Sequence, residues 1–247
     1  MGWTASALSV GFLGGAGVAA LRERPLSIRI ERFERASPAR VSEREDAGAV
    51  FSVDVPRVTG GCGDEARAAL NAAWMLLVEM PIRGQGARSL EAQAASLLTS
   101  WERCRAEHPT AASTASWWRR RRTQVLYSGD GLVTLQVSER WHTGGAHSNS
   151  RTRIATYDPA SGRRVDARSL VAPADRSRLA AAVVQGVLAR GVPCDRAALV
   201  ARASATENVA VIERGLLFSF DPYEVSGFPQ GTIQHVVPWS ALHRAGA

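Results

Sequence analysis

Lysine is absent from this chain, and all 30 of its basic residues are arginines. We interpret this mainly as the coding bias of a GC-rich gene. Cysteine is scarce as well: Cys62, Cys104 and Cys194 show neither Cys-x-x-Cys nor His-Cys ligand spacing, so we expect no metal site. The Gly-x-Ser-x-Gly, His-Glu-x-x-His and phosphate-loop motifs are missing too. We therefore expect no catalytic residue and no cofactor.

The composition is that of a globular protein. Hydrophobic residues make up 45% and charged residues 21% of the 247 residues, which excludes disorder, collagen and coiled coil for the chain as a whole. The formal net charge of +7 favours anionic partners through long-range attraction. Because no nucleic-acid-binding motif accompanies this charge, we expect a solvated basic surface and no nucleic-acid partner.

The N-terminus carries a long uncharged run over residues 3–21, and as a helix it would span roughly 28 Å, close to the thickness of a bilayer core. We interpret residues 1–24 as a signal peptide or membrane anchor, and expect membrane contact only through this segment. An apolar core element is the alternative. Arg22 and Arg24 follow the run rather than precede it, which leaves the orientation open. The implied location is periplasmic or otherwise extracytoplasmic, secreted or anchored.

Two helices are predicted in the first half, one capped by Asp64 after a strand at residues 50–55, and one capped by Ser89. Cys62 precedes the first helix and Cys104 lies near the end of the second. In a helical hairpin these points can meet, so we expect a Cys62–Cys104 disulfide in an oxidising compartment.

The run Trp117–Arg122 has two interpretations. Its aromatic and cationic side chains could stack on sugars or bases and pair with phosphates. The preferred interpretation is an exposed helix end or strand start, in which the tryptophans cover the core edge and the arginine stems lie over apolar surface.

The second half is rich in predicted strands. A hairpin turns at residues 129–131, further strands follow at 151–157, 208–212, 216–220 and 235–238, and a helix occupies 175–190. Strands on both sides of a helix predict an α+β fold with an antiparallel sheet and packed helices. A smaller domain of strands and helices, with a first strand at about residues 26–33, precedes it.

Four ordered segments carry a family resemblance. They are the aromatic-then-GGAH loop Trp141–Asn149, the turn Tyr157-Asp158 with Gly162, the strand and loop Arg214–Val225, and Gly231 with Val237–Leu242. This part of the chain resembles the extracytoplasmic domain shared by RsiV-type anti-sigma factors and PdaC-type peptidoglycan deacetylases. The resemblance divides the chain into a small companion domain at 25–122 and an RsiV/PdaC-like domain at 123–247.

The resemblance implies recognition in the cell envelope, because RsiV-type domains bind lysozyme and PdaC-type proteins act on peptidoglycan. Only Met1 and Gly2 precede the apolar run, and no further domain follows the last matching segment, so we expect neither sigma-factor binding nor deacetylase activity. Where the family commonly has Pro-Tyr-Ala, this chain has Gly227-Phe228-Pro229.

We expect the C-terminal half to form one antiparallel layer that brings the GGAH loop and the loop after Phe220 side by side. The candidate ligand-binding residues are Trp141, His142, Gly144, Gly145, His147, Asn149, Tyr223, Glu224 and Phe228. For Tyr223 and Glu224 the preferred interpretation is structural: they bind His147 or satisfy one another in a buried network. Because His142 and His147 are five residues apart, they point to opposite faces of an extended segment, which disfavours a shared metal.

The resemblance and the net charge lead to three candidate functions. The preferred one is a non-enzymatic binding protein for peptidoglycan or a related anionic cell-wall polymer. The second is a lysozyme inhibitor or sensor, for which Asp221 and Glu224 would form an acidic patch. The third is a cell-wall hydrolase, which requires Asp221 or Glu224 to meet His147 in a water-lined cleft.

Overall fold

The structure is a computed structural model that describes residues 25–37, 48–80, 88–109 and 116–242. The expected signal or anchor at 1–24 lies outside the described residues. None of the helices in the described part of the chain has the length and hydropathy needed to cross a membrane.

A large sheet forms the centre of the molecule, with its strands in the order β1 to β6. The strands are β1 Ser27–Ala36, β2 Gly48–Gly60, β3 Ser116–Gly129, β4 Leu132–His142, β5 Asn149–Tyr157 and β6 Arg164–Val165. All neighbours are antiparallel except β2 and β3, which run parallel. Parallel pairing requires a long crossover, and the two helices between β2 and β3 supply it.

These two helices, α1 Asp64–Glu79 and α2 Leu90–Glu107, cover one face of the large sheet. Leu70, Trp74 and Val78 recur every four residues on α1 and are fully buried. Ser89 caps α2 as expected, since its hydroxyl accepts a hydrogen bond from the Ala92 N–H. At α1 the prediction is off by one residue, because Gly63 occupies the cap position and Asp64 lies in the first turn.

A second sheet packs on the opposite face of the large sheet. Its strands are β7 Val209–Ile212, β8 Gly215–Phe220 and β9 Ile233–Pro238, all antiparallel. Ala210 and Leu217 pack on Ile154 of β5. The outer face of this second sheet is covered by α3 Arg176–Ala189, α4 Arg196–Ala205 and α5 Trp239–Leu242.

The predicted α+β class is confirmed, but the C-terminal strands do not form a single layer. Strands β4 to β6 belong to the large sheet, and β7 to β9 form the second sheet. The second sheet packs over the face of β5 that carries Ile154 and buries this apolar side chain. The expected domain boundary between residues 122 and 123 falls inside β3. Strands from both expected domains therefore pair in one sheet.

The disulfide expected between Cys62 and Cys104 is not formed: both residues, and Cys194, are free thiols. Cys62 packs in the buried cluster around Leu70 and Trp74. The buried residues of α2 that join a cluster lie in a different one, around Phe51 and Val53. The Cys62 end of α1 and the packed residues of α2 thus lie in different clusters, and the two cysteines are not brought together.

Candidate functional site

Two loops distant in sequence meet at one edge of the molecule. The first connects β4 to β5 and contains the GGAH motif, and the second connects β8 to β9. The His147 ring stacks on the Phe228 ring, with centroids 3.6 Å apart and planes 20° from parallel. Tyr223 lies beside the same phenyl ring at 6.2 Å. We call His147, Tyr223 and Phe228 the ring cluster.

The second loop is fastened to the free edge of β5 by Asp221. One carboxylate oxygen accepts the Thr152 N–H at 2.6 Å, and the other pairs with the Arg153 guanidinium at 2.7 Å. Two residues further along β5, Asn208 accepts the Ile154 N–H, and it also donates to the Thr152 carbonyl. These side chains satisfy backbone groups that the short strand β6 leaves unpaired, and so they fix the position of the second loop.

Tyr223 is presented outward by a tight turn. Its φ of 70° lies in the left-handed region, and its N–H donates to the Ser226 carbonyl at 3.0 Å. A bulky residue rarely adopts a positive φ. The side chain is also 66% exposed, which presents a large apolar ring to solvent. Glu224 points elsewhere: its carboxylate accepts the Asp221 N–H at 2.7 Å and lies 3.9 Å from Arg202.

The remaining candidates frame the first loop without joining the ring cluster. Trp141 and Asn149 are directly paired at the facing ends of β4 and β5. Gly144 has a φ of 85°, and Gly145 is exposed. Trp141 lies under the Arg119 guanidinium at 5.8 Å, whereas His142 faces the other side of the sheet and lies 6.4 Å from the Trp118 ring.

The expected proximity of the two loops is therefore found, and the network expected within them is not. Among the described residues, neither Tyr223 nor Glu224 hydrogen-bonds to His147, whose Nδ1 lies 3.3 Å from the Ser148 carbonyl oxygen. Within the same ranges, no three side chains converge as metal ligands.

A cationic face lies next to the first loop, on the side of the large sheet that carries His142. Arg120 and Arg140 are directly opposite each other on β3 and β4, next to the Trp118–His142 pair. Arg120 also lies over the Trp118 ring at 5.4 Å, and Arg140 reaches the Ser148 hydroxyl at 3.5 Å. Directly opposed like charges are unfavourable in a sheet unless an anion or solvent separates them.

The run Trp117–Arg122 is thus a strand, and it divides between two faces. Trp118 and Arg120 belong to the cationic face. Arg121, by contrast, is fully buried on the helix-covered face and paired with Glu139. The preferred interpretation, an exposed helix end or strand start, is wrong for Arg121, because strand alternation points every second side chain inward.

No family model matches the chain, and no curated protein matches it in sequence. In structure, the chain is similar to a DUF3298 family member from Bacteroides fragilis, with 15% identity over 88% of this chain and 92% of that one and a TM-score of 0.66. It is also similar to a DUF3298 family protein from Pseudomonas aeruginosa, with 19% identity over 89% and 94% of the two chains and a TM-score of 0.63. These similarities show that the chain shares the fold of the two proteins.

Proposed function

We propose that the protein is a non-enzymatic binding protein of the cell envelope that recognises peptidoglycan or a related anionic cell-wall polymer. The observation that carries the proposal is the ring cluster, in which two loops place three rings side by side at one edge of the molecule. The RsiV/PdaC-type resemblance of these loops, and the extracytoplasmic location implied by residues 1–24, are part of the proposal.

The ring cluster suits a sugar ligand. Flat aromatic faces bury the apolar faces of sugar rings at low conformational cost, and a partly exposed tyrosine adds a hydroxyl for hydrogen bonding. The Phe228 ring is held by its stack with His147, so the surface is ordered before a ligand arrives. Binding then costs less side-chain entropy than it would on isolated exposed rings.

The cationic face supplies the complementary charge. Peptidoglycan carries carboxylates and wall polymers carry phosphates, both of which arginine binds through paired N–H donors. Arg120 and Arg140 stand opposite each other, and Arg140 contacts the same loop that carries His147. The net charge of +7 adds long-range attraction for a polyanion.

Lysozyme is the alternative partner, and the geometry of the carboxylates disfavours it. A basic partner requires a locally acidic patch, but the Asp221 carboxylate is paired with Arg153 and that of Glu224 binds the Asp221 N–H. The hydrolase alternative requires one of these carboxylates beside His147. Both instead hold the backbone of the second loop or of β5, away from the imidazole.

Co-sedimentation with purified peptidoglycan tests the proposal, with lysozyme pull-down and wall turnover measured alongside. Tyr223→Asn removes the ring while keeping a residue that tolerates positive φ, and we expect about tenfold weaker binding, as for an interface hot spot. Tyr223→Phe keeps the ring and is the matched control. Equal binding by wild type and Tyr223→Asn, or preferential capture of lysozyme, would contradict the proposal, as would turnover of the wall material.

A further inference from the structure

A cleft of about 680 Å³ opens between α1, the end of β5 and the segment that joins α4 to β7. Its volume is in the range of small-molecule sites. The rings of Tyr223, Phe228 and His147 do not line it. The cleft is therefore a surface separate from the ring cluster.

One wall of the cleft is apolar and comes from α1 and the residue that follows it. Ala73, Leu76, Leu77 and Met80 line it. Leu76 is 55% exposed, although it belongs to a helix whose other leucines are at least half-buried. An exposed leucine inside a concave surface is a ready contact for an apolar ligand, since its burial on binding is favourable.

The facing wall carries three arginines and two glutamates. Arg153 pairs with Asp221, Arg202 lies 3.9 Å from Glu224, and Arg164 donates to the Glu207 carbonyl at 3.0 Å. A guanidinium has five N–H donors, so one such contact leaves most of the donors of Arg164 available. Arg202 and Arg164 are also exposed, which lets them turn toward a ligand.

Tyr157 lies where the two walls meet. Its side chain is buried, and its ring packs edge-on against Trp74 at 6.4 Å. Burial raises the pKa of Tyr157 to about 12, against the opposing positive charge of Arg164. The phenol is therefore protonated at neutral pH and stands close to an arginine, where the two can donate hydrogen bonds to the same acceptor.

We propose that this cleft binds a single-chain amphiphile with an anionic head group, a carboxylate or a phosphate. The head group lies between Arg164, Arg202 and the Tyr157 hydroxyl, and the chain lies along Leu76 and Leu77. A neutral ligand would gain no charge-assisted hydrogen bond from the arginines, and an anion without a chain would leave Leu76 exposed. The combination of an apolar wall with a facing arginine wall thus selects for both properties at once.

Isothermal titration calorimetry with octanoate and octyl phosphate tests this proposal, with 1-octanol and acetate as the ligands that lack the charge or the chain. We expect both anionic amphiphiles to bind, and both control ligands to bind at least about tenfold more weakly. 1-Octanol loses a charge-assisted hydrogen bond, and acetate loses the burial of an apolar chain. Titration of inorganic phosphate distinguishes a site for the free anion. If 1-octanol or inorganic phosphate binds as tightly as octyl phosphate, the proposal is wrong.

Two pairs of variants locate the site. Arg164→Ala removes a donor of the cleft, and Arg163→Ala removes the neighbouring exposed arginine, which does not line it. Leu76→Asp places a negative charge in the cleft, and Val200→Asp makes the same change at an exposed helical residue outside it. We expect roughly tenfold weaker octanoate binding for the first member of each pair only. Equal losses within either pair would overturn the assignment.

Measuring both peptidoglycan and octanoate binding in the same variants distinguishes a failure of this proposal from a failure of the proposed function. Tyr223→Asn should leave octanoate binding unchanged, and Leu76→Asp should leave peptidoglycan binding unchanged. Because all the substituted side chains are exposed, circular dichroism should show the same fold for each variant. Octanoate binding that disappears in Tyr223→Asn, with the fold intact, would contradict a separate site.

Discussion

Glu139 is a buried carboxylate at the centre of the helix-covered face of the large sheet, with a side chain only 1% exposed. Arg121 donates to one of its oxygens at 2.7 Å and Arg151 to the other at 2.5 Å. Arg121 also donates to the carbonyls of Val78 and Glu79, and Arg151 to the carbonyl of Met80. The arginines thus satisfy carbonyl groups at the end of α1 that have no partner within the helix.

Replacing Glu139 should strongly destabilise the protein. Glu139→Gln leaves the Arg121 charge buried without a counter-ion, and we expect the free energy of unfolding to fall by about 3–5 kcal/mol. Glu34→Gln is the control, because Glu34 forms an exposed ion pair with Arg32, for which the loss should be below about 1 kcal/mol. Urea unfolding monitored by tryptophan fluorescence measures both. A Glu139→Gln variant as stable as Glu34→Gln would show that the buried cluster does not stabilise the fold.

The same residue gives a pH dependence. Burial alone would raise the pKa of Glu139, but the charges of Arg121, Arg151 and Arg119 outweigh it and hold the pKa below its usual value. A carboxyl with a lowered pKa in the folded state stabilises the fold above its unfolded-state pKa, and this stabilisation is lost as the pH falls through the lowered value. Wild-type stability should therefore decline below about pH 4.3, the ordinary glutamate value. In Glu139→Gln this part of the decline should be missing.

At the scale of elements, the conformation of the loop between β4 and β5 depends on one of its two glycines. Gly144 has a φ of 85°, which L-residues rarely adopt, whereas a Cβ on Gly145 would meet only the His147 carbonyl oxygen at 4.0 Å. Gly144→Ala should therefore cost roughly 1–2 kcal/mol and displace His147 from Phe228. Gly145→Ala should leave both stability and peptidoglycan binding unchanged. Thermal unfolding and co-sedimentation of the two variants check this, and equal behaviour of the pair would contradict the loop conformation described here.

Strand positions could be predicted from the sequence more accurately than strand pairing. The hairpin turn at residues 129–131 and the strand at 151–157 follow from turn residues and alternation. Counting back from the turn places Arg122 opposite Glu139, but a bulge between Val125 and Tyr127 shifts the register by one residue and places Arg121 there. No local signal in the sequence marks this bulge, and a shift of one residue changes which side chains pair and are buried.

The loops of the candidate site were predictable for a different reason. His147 and Tyr223 could be named from the sequence because they lie in segments of the expected RsiV/PdaC-type resemblance, and Phe228 because it lies where the chain departs from that pattern. The contacts that join them could not, because Asp221 and Asn208 act on the backbone of β5, more than fifty residues away in the chain. The cleft lined by Leu76 and Arg164 depends in the same way on long-range packing.

At the scale of the whole molecule, four layers follow one another: α1 and α2, the large sheet, the second sheet, and α3 with α4. The first loop extends from the large sheet and the second loop from the second sheet. Packing of the two sheets through Ile154 and Leu217, together with the contacts of Asp221 to β5, therefore brings the loops together. The ring cluster is a product of the whole fold.

A double-mutant cycle on peptidoglycan binding tests most directly whether the two loops act as one surface. The variants are His147→Ala, Phe228→Ala and the double substitution, each compared with wild type by co-sedimentation. The rings stack at 3.6 Å, so we predict that the two single losses of binding free energy are not additive. The loss in the double variant should differ from the sum of the single losses by about 1 kcal/mol, the coupling expected for contacting aromatic rings. Additive losses, or a double variant that binds as well as wild type, would contradict the account.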